Sequence, residues 1–121
     1  MIEVEKVEDS NEILYYVKGK VPMIPHREDG PAVFHKNTDY KAWYINGRRH
    51  REDGPAIIWN NGSEEWYING RLHRVDGPAV IRNEDHEWWL HGNRYTKEEW
   101  FEELTEEQQE KMFYSEYFIR G

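Results

Sequence analysis

Hydrophobic positions along the chain come in short bursts separated by turn residues. The clearest unit lies in the middle. Ala56-Ile57-Ile58-Trp59 is a short β-prone run, and Asn60-Asn61-Gly62-Ser63 is turn chemistry, because Asn and Gly tolerate positive φ. Glu65-Trp66-Tyr67-Ile68 then alternates back. Asn69-Gly70 is the strongest two-residue hairpin signal and predicts a type I′ turn. Arg71-Leu72-His73 starts a further short strand, and Asp76-Gly77-Pro78 turns the chain again, with Pro placed at the first residue of the strand that follows. The pattern predicts a mainly β fold, an antiparallel meander of repeated hairpins.

The unit recurs. HREDGPA occupies His26–Ala32 and again His50–Ala56, and HRVDGPA occupies His73–Ala79. Each copy is followed by an aromatic pair and a tight turn: Trp43-Tyr44-Ile45-Asn46-Gly47, Trp66-Tyr67-Ile68-Asn69-Gly70 and Trp88-Trp89-Leu90-His91-Gly92. A period near two dozen residues marks a repeat array. Three repeats follow, over 26–49, 50–72 and 73–95. Residues 1–25 form an N-terminal arm with a degenerate half repeat at Tyr15-Tyr16-Val17-Lys18-Gly19, and Val21 to Pro25 an irregular connector. Residues 1–12 read as an entry strand or a loose arm. The gap between the motif's Ala and the next Trp shortens along the array, so the outer turns vary while the Asn-Gly turn stays fixed.

Alternation along a strand separates the aromatic pairs into two columns. Tyr15, Trp43, Trp66 and Trp88 share one face with Val17, Ile45, Ile68 and Leu90. Tyr16, Tyr44, Tyr67 and Trp89 take the other. The pattern changes at Tyr95. Thr96-Lys97-Glu98-Glu99 and Thr105-Glu106-Glu107-Gln108 are capping boxes. They predict a short helix with Trp100, Phe101 and Leu104 on one face, then a second through about Tyr117. The expectation for 96–121 is an acidic helical cap over the open edge of the last hairpin.

Composition narrows the function classes. The net charge is −8, and its distribution is uneven: −2 over residues 1–25, −1 over 26–95 and −5 over 96–121. Near-neutral repeats and an acidic tail argue against direct nucleic-acid binding, which calls for a basic face. There is no cysteine, hence no disulfide framework and no thiolate metal site. The acidic N-terminus lacks an apolar signal region, and no run is long enough to span a membrane. A cytoplasmic location is expected.

The pattern HRxDGPA, polar gap, WYxNG resembles a repeat of tailed-bacteriophage proteins and, more loosely, MORN-type and MORN-variant repeats. The likeness covers residues 26–95 well and 13–21 weakly. The third copy departs from it at Val75, His91 and Tyr95. The resemblance implies a hairpin array used for binding, with no catalytic residues to carry over. A viral origin would imply action on host machinery, in the host cytoplasm.

Recurring polar residues have two readings. The His26/His50/His73 and Asp29/Asp53/Asp76 columns suit a metal by residue type, but repeats spread them along a line. The favoured reading is structural, with Asp accepting backbone N–H bonds in its turn and His or Arg bonding the neighbouring unit. Arg27, Arg51 and Arg74 are expected to pair with acids of adjacent repeats. The alternative is an arginine ladder that sequesters a small ligand or nucleotide. The column Tyr16, Tyr44, Tyr67 and Trp89 is either a contact strip or packing against Lys and Arg stems. The expected function is a non-enzymatic protein-binding module, a phage accessory protein that binds and inhibits or modulates a host defence or nucleic-acid-processing protein. It needs no cofactor or metal. The contacts are assigned to that column, to Trp59 in an outer turn, and to Phe113 and Tyr117 in the tail. Edge strands open a route to a homo-oligomer.

Overall fold

A computed structural model describes residues 2–119; Met1 of the N-terminal arm and Arg120 and Gly121 of the expected tail lie outside the described residues. The fold is mainly β with a short helical C-terminus. The strands are β1 (Val4–Glu8), β2 (Glu12–Val17), β3 (Val33–His35), β4 (Lys41–Ala42), β5 (Tyr44–Ile45), β6 (Arg48–Arg49) and β7 (Ile57–Ile58). They continue as β8 (Glu64–Glu65), β9 (Tyr67–Ile68), β10 (Arg71–Leu72), β11 (Val80–Arg82), β12 (Asp85–Leu90) and β13 (Asn93–Tyr95). Nine of these form one antiparallel meander in the order β1-β2-β3-β4-β7-β8-β11-β12-β13. The pairs β5-β6 and β9-β10 stand apart as two-stranded hairpins. The arm is therefore a strand, β1, paired along its length with β2.

The expected return strands are not continuous. The run Glu65–Ile68 breaks at Trp66, as its counterpart breaks at Trp43. The hydrogen bonds explain the break. The N–H of Trp43 donates to the Ala56 carbonyl across the main sheet, while its own carbonyl accepts from His50 within the Asn-Gly hairpin. Trp66 does the same with Ala79 and His73. Each Trp therefore joins two sheets, and Ala32, Ala42, Ala56 and Ala79 at the junctions are fully buried. The Asn-Gly turns are as expected. Asn46 and Asn69 have φ near 50° and the glycines after them near 80°, with His91-Gly92 adopting the same geometry. Successive hairpins are tied side by side, because the amides of Gly47, Gly70 and Gly92 donate to the carbonyls of Pro25, Arg49 and Leu72.

Both capping boxes form. Thr96 and Glu99 open helix α1 (Lys97–Glu103), and Thr105 and Gln108 open α2 (Glu106–Met112). The second helix is shorter than the sequence suggests. It stops at Met112, and after a turn a separate α3 (Glu116–Ile119) follows. The break lets Tyr117 return edge-on to Trp88 at 5.8 Å between ring centroids, a contact that a straight helix would carry away. The main core lies here, with Trp88 and Leu90 of β12 against Trp100, Leu104 and Met112. Trp100 is fully buried, packs against Trp88 with centroids 4.7 Å apart and the rings tilted by 56°, and donates its indole N–H to the Arg74 carbonyl. No described helix is long and apolar enough to cross a membrane.

Candidate protein-binding surface

The recurring polar residues are built into the turns. The Nδ1 of His26 accepts the Asn46 N–H at 2.8 Å, that of His50 the Asn69 N–H at 3.0 Å, and that of His73 the His91 N–H at 3.0 Å. Each imidazole thus holds the Asn-Gly-type turn of its repeat's aromatic hairpin, which the motif alone does not reveal.

The arginines differ from expectation. Arg27, Arg51 and Arg74 do not pair with adjacent repeats. Each donates from Nε to the aspartate two residues on (Asp29, Asp53, Asp76) at 2.8–3.1 Å. Each also donates to the proline carbonyl four residues on. The turn itself brings these acceptors within reach, and a local partner costs less chain ordering than a distant one. The aspartates consequently receive a guanidinium rather than the expected backbone N–H. The planes of Arg27, Arg51 and Arg74 lie 4.0, 3.9 and 3.7 Å from the ring centroids of Tyr15, Trp43 and Trp66. Nε and Nη1 of each guanidinium are thus engaged within its own turn.

The second aromatic column presents different chemistry. Cross-strand partners in an antiparallel sheet share a face. Ala42, Ile57, Glu65, Val80 and Glu87 are successive partners, so they form one row. Tyr40, Tyr44, Trp59, Tyr67, Arg82 and Trp89 flank it at i ± 2. Glu65 organises the centre. Its two carboxylate oxygens accept the Trp59 indole N–H at 2.7 Å and the Tyr67 hydroxyl at 2.8 Å. Tyr40 packs on Trp59 with centroids 5.2 Å apart, and the Arg49 guanidinium lies 5.3 Å from the Tyr67 ring. Burial, then the bond to Glu65, push the Tyr67 phenol up to about 12. In the third repeat Glu87 repeats the device, accepting from the Trp89 indole at 2.9 Å and from Arg82 at 3.0 Å.

No family, curated protein or solved structure matches the chain. The surface is therefore read from its own chemistry.

The sequence-derived site residues divide. Tyr44, Tyr67, Trp89 and Trp59 lie on this strip, with Trp59 39% exposed. Tyr16 is in the same column but at the N-terminal end, opposite Glu5 and without a carboxylate anchor. Phe113 and Tyr117 are elsewhere. Phe113 is an exposed residue beside Phe101 at the end of α2, and Tyr117 packs into the cap. Sequence reasoning missed Tyr40, Glu65, Glu87, Arg49 and Arg82. A signal for two of them was present: Glu65 precedes Tyr67, and Glu87 precedes Trp89, by two residues on the same face of a strand.

Proposed function

We propose that the protein is a non-enzymatic binding module whose aromatic strip, on the face away from the helical cap, docks a partner protein. The carrying observation is the Trp59–Glu65–Tyr67 triad. It presents an exposed indole already fixed by a short hydrogen bond. Fixing the rotamer before contact lowers the ordering cost of binding, and Trp, Tyr and Arg are the residues that carry interface energy. The anchors are carboxylates, which suits a protein partner better than a phosphate backbone. The resemblance to bacteriophage repeats supports a narrower reading: an accessory protein that binds and inhibits or modulates a host protein in the cytoplasm.

The test is an affinity pull-down from bacterial lysate, with and without nuclease, by full-length protein and by Trp59→Ala. One stoichiometric protein should survive nuclease. Its affinity for Trp59→Ala should fall at least tenfold, about 1.4 kcal/mol or more, while the variant keeps its β circular dichroism. Undiminished capture by the folded variant, or capture that depends on nucleic acid, removes the strip from the account.

A further inference from the structure

Strand β1 is the longer of the two outer strands that end the nine-stranded sheet without covering helices. It has one neighbour, β2, and all five of its residues are exposed. Its register with β2 runs unbroken from Val4 opposite Val17 to Glu8 opposite Ile13, with no bulge and no proline. The strand at the other end, β13, has only three residues.

The hydrogen bonds decide which groups this edge offers. The Lys18 N–H donates to the Glu3 carbonyl at 2.9 Å, and the Asp9 N–H to the Glu12 carbonyl at 3.1 Å. Bonded and non-bonded pairs alternate along an antiparallel ladder. Glu5 and Val7 therefore turn their backbone groups to β2, while Val4, Lys6 and Glu8 turn theirs outward. The rim thus carries N–H and C=O groups at the two-residue spacing of a ladder, which another strand can complete.

Side chains set the chemistry of that strand. Val4 and Val7 are 39% and 44% exposed, so each face of β1 presents an aliphatic group at the rim. Glu3 bonds Lys18 at 3.4 Å, and Glu8 bonds Lys6 at 3.1 Å and Lys36 at 2.6 Å. Glu5 has no ion pair among the described residues. It lies between the outward-bonding Val4 and Lys6, so it faces an incoming antiparallel strand in a non-bonded pair, where Cα atoms come within about 4.5 Å. A second copy of β1 answers this poorly. In the register of fullest overlap it sets Lys6 against Lys6 and only Val7 against Glu5.

We infer that β1 accepts a strand of a partner protein, antiparallel, with a cationic side chain opposite Glu5 and β-branched residues opposite Val4 and Val7. The backbone supplies the affinity and the side chains the register. This edge is separate from the Trp59 strip and stands independently of it.

The probe is a capped peptide built on Thr-Val-Thr-Lys-Val. Antiparallel to β1, it sets its first valine opposite Val7, its lysine opposite Glu5 and its last valine opposite Val4. Binding to the full chain is read by anisotropy of a fluorescent label, and amide exchange by NMR. Saturable binding is expected, with the Val4, Lys6 and Glu8 amides gaining protection. N-methylation of both threonines, whose N–H groups face β1, should weaken binding about tenfold or more. N-methylation of the first valine and the lysine, whose N–H groups face away, should leave it. Lys6→Pro removes one outward donor without touching the ladder to β2, a place where an edge strand tolerates proline, and should weaken binding about tenfold or more. Glu5→Lys should weaken it too, and a peptide with glutamate in place of its lysine should restore it, a swap that answers even if Lys6→Pro loosens β1. Trp59→Ala should bind the peptide normally, which separates failure of this edge from failure of the strip. The inference is overturned if the two methylated peptides bind alike, or if Glu5→Lys does not prefer the glutamate peptide. Absence of binding at millimolar peptide also overturns it. So does self-association of the full chain that Lys6→Pro abolishes, which would make a second copy the occupant.

Discussion

At the scale of single residues, the histidines show how one motif position can spell two chemistries. In sequence, His three residues before Asp suits a metal as well as a turn, because only residue types and spacing are visible. The deciding fact is where the imidazole points, and that depends on a turn about 20 residues away. His26 is 1% exposed and accepts a backbone N–H. Replacing it by Ala leaves that donor unpaired beside a void, so His26→Ala should lose about 2–4 kcal/mol of stability in urea unfolding. A change near zero would mean that the turn holds itself. His73 adds a pH dependence. Burial, and then the neighbouring His91, lower its pKa below the ordinary 6.5. The unfolded chain therefore binds this proton more readily than the folded one, and stability rises with pH across the interval. The contribution is complete above pH 6.5 and is lost as pH falls through the lowered folded value. Protonation at Nδ1 also removes the acceptor of the His91 N–H. The melting temperature should fall between about pH 7.5 and about pH 5.5, and less steeply in His73→Gln. Equal slopes for the two proteins would exclude His73 as the source.

At the scale of elements, local chemistry was the legible part. The Asn-Gly turns and both capping boxes depend on side chains within four residues of one another, so the sequence contains the whole argument for them. The breaks at Trp43 and Trp66 depend on partners in the next repeat, Ala56 and Ala79, and the alternation of apolar residues runs straight through them. The motif's alanine, one small residue at the start of a β-prone run in the sequence, has a stricter role in the structure. Ala56 is fully buried where the main sheet meets the hairpin, and its N–H and carbonyl bond Glu65 and Trp43. A larger side chain there must push two sheets apart. Ala56→Leu should cost about 1–3 kcal/mol, seen as a lower urea midpoint with an unchanged slope. A neutral result would place the junction under much looser packing than the fully buried alanines indicate. The end of α2 is not legible in the sequence for a related reason. Met112, Phe113, Tyr117 and Phe118 keep helical spacing, but Tyr117 is drawn back by Trp88, an attraction that only the folded array supplies.

At the scale of the whole molecule, the open question is how a nine-stranded sheet with two free ends avoids growing. The N-terminal end is guarded by charge. Two copies of β1 related by a two-fold axis normal to the sheet must place one residue opposite itself. Centring on Lys6, the register of fullest overlap, sets lysine against lysine, and centring on Glu5 sets glutamate against glutamate; both are destabilising as direct cross-strand neighbours. The C-terminal end is handled differently. The helices do not add to β13 as a strand would. They cover the face beside it, burying Trp88 and Leu90. The fullest edge pairing between copies is thus opposed at one end, and the apolar face that would drive association is covered at the other. The full chain should be monomeric by light scattering at about 100 μM, a concentration at which a contact of about 5.5 kcal/mol would be half populated. Removing residues 96–121 strips Trp88 and Leu90 of their cover and opens the groove between α2 and the second repeat while leaving the first repeat untouched, so the truncated chain should self-associate or precipitate at the same concentration. A truncated chain that stays monomeric and melts as before would show that the array closes without its cap. The acidic helices would then be free to act as a binding arm, and the packing of Trp100 on Trp88 would be a resting contact rather than a structural one.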